Sequence, residues 1–577
     1  MRRRWQGARR TPDAEERLVA ALDISPLLAR LLANRAVEEP EAAAAFLGAR
    51  LSEHLRSPML FREMGRAAER VVVAMARGEL IGIYGDYDVD GISGSALLIR
   101  FLRELQVEPL LHIPHRLRDG YGLNERGIRQ LASGGAKVII TVDCGGVSHR
   151  EIGLARSLGI DVIVCDHHQV SGTPLPAHAV LNPIERDAGF PFGGLCGAGV
   201  AFYLAMGVRM RLREVGSARV PDLRRLLDLV ALGTIADLVP VVEENRVLVK
   251  YGLRELGRSE RPGVKALKAV SGVGDVSTGA VGFRLAPRLN AGGRLDDATR
   301  SVDLLTTDDQ ARADQLAATL DEENRARQTI ERQILDEAIA MVEAAGGVAD
   351  RRSIVLGSAE WHPGVVGIVA SRLVERYYRP TVLIASDCGA GVGRGSARSI
   401  RGMNIYEAIK ACQECLEGFG GHRMAAGLSI RPEHIPALAE RFEAAVRERT
   451  APEDFVPVTD VDCELGFESI NEGCVQDLDR LEPYGPANPQ PIFLTRAVRV
   501  LSRRIVGEHH LKLYLEQGSR ALPAIGFGMA DRAVEPGAVL DVLHSPMVSE
   551  WGGNQTLELR LRDLRPAQPG STGGTSA

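Results

Sequence analysis

Two acidic segments, each closing an apolar run, restrict the architecture of this chain more than anything else in it. Leu80 to Tyr84 reads as a buried strand that runs into Gly85-Asp86-Tyr87-Asp88-Val89-Asp90-Gly91, and Asp161 to Cys165 reads as a second that runs into Asp166-His167-His168. Between them Val138 to Val142 is a third buried strand, ending in Asp143, and Asp237 later interrupts the apolar stretch Leu229 to Val239. Strands here alternate with helical segments, a rhythm that implies right-handed crossovers and a parallel sheet. In such sheets the ligand crevice lies beyond the carboxyl ends of the strands, where these acids stand. Carboxylates gathered there repel one another unless a cation neutralises them. Imidazole with hard carboxylate oxygen, and no thiolate ligand, suits Mn²⁺ or Mg²⁺ better than zinc. Two such ions bridged by a shared carboxylate are suited to in-line displacement at phosphorus. Asp237 needs a cation, hydrogen-bond donors or a proton of its own, because an unpaired buried carboxylate is costly.

Other readings of these motifs are weaker. Asp86-x-Asp88-x-Asp90-Gly91 has the start of a calcium loop, but its twelfth position is Leu97 rather than Glu, and a strand rather than a helix precedes it. The formal charge is −5 over 577 residues, so no global basic field advertises a polyanion and any nucleic-acid surface must be local. Of the 70 basic residues 64 are Arg, which makes planar guanidinium forks available for phosphate. Eight cysteines at irregular spacing, no secretory leader and no long uncharged apolar run point to a reducing cytoplasmic protein with no membrane span. Cys412-x-x-Cys415 lies in a segment, Ile405 to Phe419, with helical periodicity and no second pair nearby, which argues against a zinc or redox site.

The pattern predicts an α/β multidomain chain. A helical cap over residues 1–55 precedes an α/β unit over 56–302, and a long connecting helix over 303–347 leads to a second α/β unit over 348–450. Short apolar strands with turn residues over 451–565 read as a β-barrel. The Gly, Ser, Thr and Pro-rich tail, 566–577, reads as disordered.

The set GDYDVDG, TVDCG, DHH and GTIADLVP, in this order, resembles the DHH phosphoesterase superfamily and, within it, the RecJ family of single-strand-specific exonucleases. Ile113-Pro114-His115-Arg116, Gly120-Tyr121-Gly122, Pro287-Arg288-Leu289-Asn290-Ala291-Gly292-Gly293-Arg294, Trp361-His362-Pro363-Gly364, Gly395-Ser396-Ala397-Arg398 and Gly420-Gly421-His422 carry the same resemblance, which covers roughly residues 55 to 565. It implies a parallel-sheet DHH domain, a DHH-associated second domain and an OB-fold barrel. It implies metal ligation by Asp86, Asp88, Asp90, Asp143, His167 and Asp237, with Asp143 as the bridge and Asp86 in either a ligating or a supporting place. Asp166 would orient the site, and His168 would orient it and assist in proton handling. Arg116, Tyr121, Arg288, Asn290, Arg294, His362, Ser396, Arg398 and His422 would contact nucleic acid, with Tyr121 stacking a base and the Gly420-Gly421-His422 turn and Arg398 holding phosphate. The implied activity is two-metal hydrolysis of single-stranded DNA from the 5′ end to 5′-mononucleotides, with Mn²⁺ or Mg²⁺, in recombination and repair. The implied protein is a monomer, with single-strand-binding protein and a helicase as partners. A DHH phosphoesterase of small nucleotides or oligoribonucleotides and a non-catalytic replication scaffold are the alternatives. The barrel argues against the first, because a small substrate needs no extended surface. The full set of ligand types argues against the second.

Overall fold

The computed structural model describes residues 3–116, 118–170, 172–185, 187–295, 297–387, 391–551 and 554–567. The tail expected to be disordered lies outside these residues beyond position 567. Contacts divide the chain into two units, one formed by residues 55–239 and 248–457, the other by 3–54, 240–247 and the segment from 458 onward.

The first unit holds two sheets. One is fully parallel, in the spatial order Leu110–His112, Leu80–Gly85, Ala136–Val142, Asp161–Cys165, Ala179–Leu181. Its strands are nearly continuous runs of Val and Ile because both faces are covered, as parallel sheets require. The strand order reverses once, between Leu80–Gly85 and Ala136–Val142. Register there is level: Gly85 pairs with Val142, Val142 with Cys165, and Cys165 with Leu181. The next residue of each strand, Asp86, Asp143, Asp166 and Asn182, therefore emerges in one row along the carboxyl edge. Main-chain bonds hold that row, from Asp86 N–H to the Val142 carbonyl (3.1 Å), Asp143 N–H to Cys165 (2.9 Å) and Asp166 N–H to Leu181 (3.1 Å).

The second sheet runs Gly418–Gly421, Ala425–Ile430, Gly393–Arg398, Thr381–Ala385, Ile354–Ser358, antiparallel except for its last pair. Three expectations fail at local bonds in this region. Gly420 and Gly421 form part of an edge strand rather than a turn, because they pair with Gly427 and Ala426; the turn follows, closed by His422 N–H on the Ala425 carbonyl (2.7 Å). Ile405 to Phe419 is not one helix either. It ends as α-helix at Lys410, Cys412 stands just before a short 3₁₀ stretch that Cys415 closes, and both thiols are core-packed. The long helix spans Gln310–Ala344, starting later than periodicity suggested, because Asp309 caps it by accepting the Arg312 N–H (3.2 Å) and Thr299–Thr306 is a separate helix.

The second unit contains a barrel of five strands, Phe493–Val506, His510–Gln517, Arg520–Gly526, Asn554–Pro566 and Val539–Trp551, closed by pairing of the first with the last. The helices Pro12–Leu22, Pro26–Ala33 and Pro40–Gly48 share its core, with Leu18, Leu28, Leu32 and Phe46 in one cluster with Phe467, Phe493 and Leu513. Arg4–Gly7, read as helical from composition, is a strand paired in parallel with Val458–Val461. No helix among the described residues is long and apolar enough to cross a membrane.

Candidate metal centre

The acidic segment after Leu80–Gly85 turns sharply into the helix Val89–Glu104. Asp88 caps that helix by accepting from the amides of Asp90 (2.9 Å) and Gly91 (3.3 Å). A Cβ at Gly91 would lie 2.5 Å from the Asp86 nitrogen, so only glycine lets the turn close. Asp90 points the other way, into the N-terminus of the helix Gly197–Glu214, where it accepts from the amides of Gly197 and Ala198 (2.9 Å for the latter). Those donors are the unsatisfied amides that open every helix, and with the helix dipole they favour a carboxylate. Asp143 occupies the left-handed region at φ +65°, a costly conformation held where the row of strand ends fixes it. Asp237 ends the helix Leu227–Ala236.

These carriers converge. His167 Nε2 lies 3.0 Å from Asp143, 3.6 Å from Asp237 and 3.7 Å from Asp90. Ligand atoms of Asp90, His167 and Asp237 form one group within 4.8 Å, those of Asp86, Asp88 and Asp143 a second, and those of Asp143, His167 and His168 a third. Asp143 thus belongs to the second and third groups, and His167 ties the third to the first. Burial and the charges of Asp90, Asp88, Asp86 and Asp237 push its carboxyl well above the ordinary range. Burial and Asp88 do the same to Asp86, and burial with Asp90 and Asp88 pushes Asp237 up to about 9. Burial holds His167 below its usual value, which leaves a neutral imidazole with a lone pair to offer.

Asp86 Oδ1 is buried with no hydrogen-bond partner among the described residues. An orphaned carboxylate oxygen in a cluster that otherwise retains protons is what a divalent cation would satisfy, and the oxygen and imidazole donors fit Mn²⁺ or Mg²⁺.

Asp166 is not part of these groups. It accepts from the amides of His167 (2.7 Å), His168 (3.1 Å) and Gly146 (2.7 Å) and from His168 Nδ1 (2.9 Å). Burial opposes its charge, but the His168 hydrogen bond and charge hold its carboxyl below the usual value. Burial likewise opposes His168, whose bond to Asp166 nevertheless lifts it to about 9. Tyr121, expected to stack a base, has its hydroxyl committed to the Asp143 carbonyl (3.0 Å) and His168 Nδ1 (2.9 Å), with its ring half exposed. Asn182 had no signal of its own beyond standing before a proline after a short strand. It is fully buried and donates to the His168 carbonyl (2.8 Å).

Around the Asp88 turn stands a group of guanidinium side chains. Arg116 lies over the Tyr87 ring at 5.0 Å. Burial, Arg116 and Arg327 pull Arg294 down to about 9, with Asp88 and Arg398 also within its field. Arg398 is lowered by burial and Arg116. Arg294 donates to the Gly364 carbonyl (3.3 Å), and Gly364 in turn to His362 Nδ1 (3.1 Å). Ser396 and Arg398 flank Gly367. Arg327, on the long helix, was not anticipated, since its charge is lost among the acids of that segment.

Two expected nucleic-acid contacts are committed elsewhere. Arg288 pairs with Asp321 (2.8 Å), fastening its helix to Gln310–Ala344. The Asn290 side-chain oxygen accepts from the Val89 amide (3.2 Å), which braces the metal turn. His422 is exposed in the turn beside its strand, where its amide donates to the Ala425 carbonyl.

Comparison with known proteins matches three segments of the chain to domain families. A DHH family N-terminal domain matches residues 80–234, a DHHA1 domain 350–448 and a RecJ OB domain 461–563. The single-stranded-DNA-specific exonuclease RecJ of Escherichia coli is 35% identical over 98% of this chain and 100% of its own length. That of Bacillus subtilis is 38% identical over 97% of this chain and 70% of its own. The crystal structure of RecJ from Thermus thermophilus in complex with Mn²⁺ superposes with a TM-score of 0.84 at 31% identity, over 98% of this chain and 80% of that one, and a Mg²⁺ complex of the same protein with a TM-score of 0.76. With this identity sustained over almost the whole length, and the three domain models in the same order, the chain belongs to the RecJ family.

Proposed function

We propose that this chain is a metal-dependent exonuclease that degrades single-stranded DNA from the 5′ end to 5′-mononucleotides, in recombination and repair. The observation that carries the reading is the pair of carboxylate-rich groups, Asp86, Asp88 and Asp143 in one and Asp90, His167 and Asp237 in the other, which meet where His167 Nε2 lies 3.0 Å from Asp143. The named activity of the relatives, and Mn²⁺ and Mg²⁺ in the solved neighbours, give the substrate class and the ions. Polarity rests on the family resemblance.

Asp86, Asp88, Asp90, Asp143, His167 and Asp237 would hold two divalent ions, which when bound supply Lewis-acid polarisation for in-line displacement at phosphorus. Asp90 is fixed by the helix amides that it accepts from, so it enters the site already oriented. His168, charged through Asp166, keeps a proton beside the carboxylates and is steadied by Tyr121 and Asn182. Arg116, Arg294 and Arg398 repel one another when nothing lies between them, so a phosphate there relieves that repulsion and fixes the strand at the Asp88 turn. The site of action is cytoplasmic, and single-strand-binding protein and a helicase are the partners in this reading.

A labelled single-stranded oligonucleotide incubated with Mn²⁺, Mg²⁺ or chelator tests it. Stepwise loss of nucleotides from the 5′ side is expected with either ion and none with chelator. Asp143→Ala should lower the rate by more than about 100-fold, the loss that even a supporting residue of a metal site can produce. Internal nicking, shortening from the 3′ side or an active Asp143→Ala protein would overturn the reading.

A further inference from the structure

The helical turns Thr278–Ala280, Val281–Leu285 and Ala286–Leu295 follow one another without a break, and the middle one is a π-turn. Its cause is in the sequence. Pro287 has no N–H, so the Phe283 carbonyl lacks its usual donor four residues on, and the Ala286 N–H reaches back five residues to Val281. On the inner side Val281, Leu285 and Leu289 are buried, whereas the Phe283 ring is 85% exposed. A lone exposed apolar side chain is ordinary. The position of this one is not. Phe283, Pro287, Asn290 and Arg294 are spaced four, three and four residues apart and so share one helical stripe. Asn290 braces the Val89 amide at the metal turn, and Arg294 stands among Arg116, Arg398 and Asp88. Eleven residues of helix separate Phe283 from Arg294, about 16 Å along the rod.

We propose that Phe283 is a stacking platform for a base of the single strand whose scissile bond lies at the metal centre. This inference rests on the function proposed above. Its chain neighbours are Gly282 and the exposed Arg284, whose hydrogen bonds go to the carbonyls of Ser271 and Gly272, and the guanidinium of Arg294 follows on its own stripe. That combination suits a polyanion with π-faces, and stacking on a ring tolerates any base. At about 3.4 Å per stacked nucleotide the separation corresponds to roughly five nucleotides. A strand shorter than that would not reach the ring.

The test is equilibrium binding of the full-length protein, in chelator so that nothing is cut, to 5′-phosphorylated oligothymidylates of increasing length. Phe283→Ala should weaken binding of strands longer than roughly five nucleotides by about 5- to 150-fold, the loss found for one aromatic–base stack, and leave shorter ones unchanged. Phe283→Trp should bind as the parent does. Phe283→Leu, apolar but without a π-face, should behave as the alanine variant. A 2-aminopurine placed at that distance from the 5′ end should lose its quenching in Phe283→Ala. Equal loss on short and long strands, no loss on either, or full rescue by Leu would overturn the proposal. Rescue by Leu would instead indicate an apolar contact such as a protein partner makes. Because binding is read without hydrolysis, a parent protein that shows the length dependence but cuts nothing would count against the nuclease reading and not against this one.

Discussion

Asp143 and Asp237 retain protons because the groups around them are acidic and buried, and that fixes how stability responds to pH. The Asp237 carboxyl is at about 9 in the fold against about 3.9 in an unfolded chain, so between these values the folded protein binds the extra proton. Stability of the metal-free protein therefore falls as pH rises through that window, by up to about 1.4 kcal/mol per pH unit for one such group. His168, lifted to about 9, acts in the same direction: its contribution is present below the unfolded value and lost as pH rises through the folded one. Cations displace the protons, so the gain in Tm on adding Mn²⁺ should grow from about pH 5 to about pH 9. Thermal melts in chelator and in Mn²⁺ across that range check it, and a gain that shrinks with pH would contradict the protonated cluster. The residues of this centre were legible because acids and imidazoles stand directly after, or within, long apolar runs. Asn182 was not, because an amide before a proline looks like any turn; only the level register that puts it in the row with Asp86, Asp143 and Asp166 reveals its place.

Helix Gly197–Glu214 offers its first amides to Asp90 and also presses against the strand end that carries Asp143. A Cβ at Gly197 would lie 2.6 Å from the Asp143 Cβ and 2.8 Å from its Cα, so no other side chain fits without moving the proposed bridging carboxylate. Gly197→Ala is expected to raise the Mn²⁺ concentration needed for half-maximal activity by about 10- to 100-fold, the range for residues that orient metal ligands, with only about 1–3 kcal/mol lost in stability. A metal titration of activity beside a denaturant melt separates the two effects; unchanged metal dependence would show that Asp143 adjusts freely. Strand and helix alternation made the parallel sheet readable. The start of the long helix, the glycine edge strand and the π-turn were not, since a cap at Asp309, a pairing partner at Gly427 and a missing amide at Pro287 each override periodicity through one local bond.

In the second unit Arg246 links segments that are far apart in the chain. Its buried guanidinium donates to the carbonyls of Phe46 (2.7 Å), Leu481 (2.8 Å), Arg480 (3.0 Å) and Pro483 (3.5 Å), and lies 3.8 Å from the Phe46 ring centroid. Burial lowers its pKa to about 10. Arg246→Met would keep the apolar stem but strand those carbonyls, and a loss on the order of 3–5 kcal/mol is expected. Trp5 lies in the same unit, its ring centroid 3.9 Å from the Arg565 guanidinium, so its fluorescence in a protein with Trp361 and Trp551 replaced by Phe can follow the unit during denaturation. An unchanged midpoint would mean that the clasp carries no weight. Composition made both the N-terminal helices and the barrel visible, but nothing in either announced that they share one core, because hydrophobic patterning says which face is buried and not against what. The pairing also sets a schedule for synthesis. Residues 3–54 leave the ribosome about 400 residues before the segment that begins at 458 and completes their core. At about 5–20 residues per second that is roughly 20–80 s during which the nascent helices have no native mate, long enough to make them a natural client for chaperones.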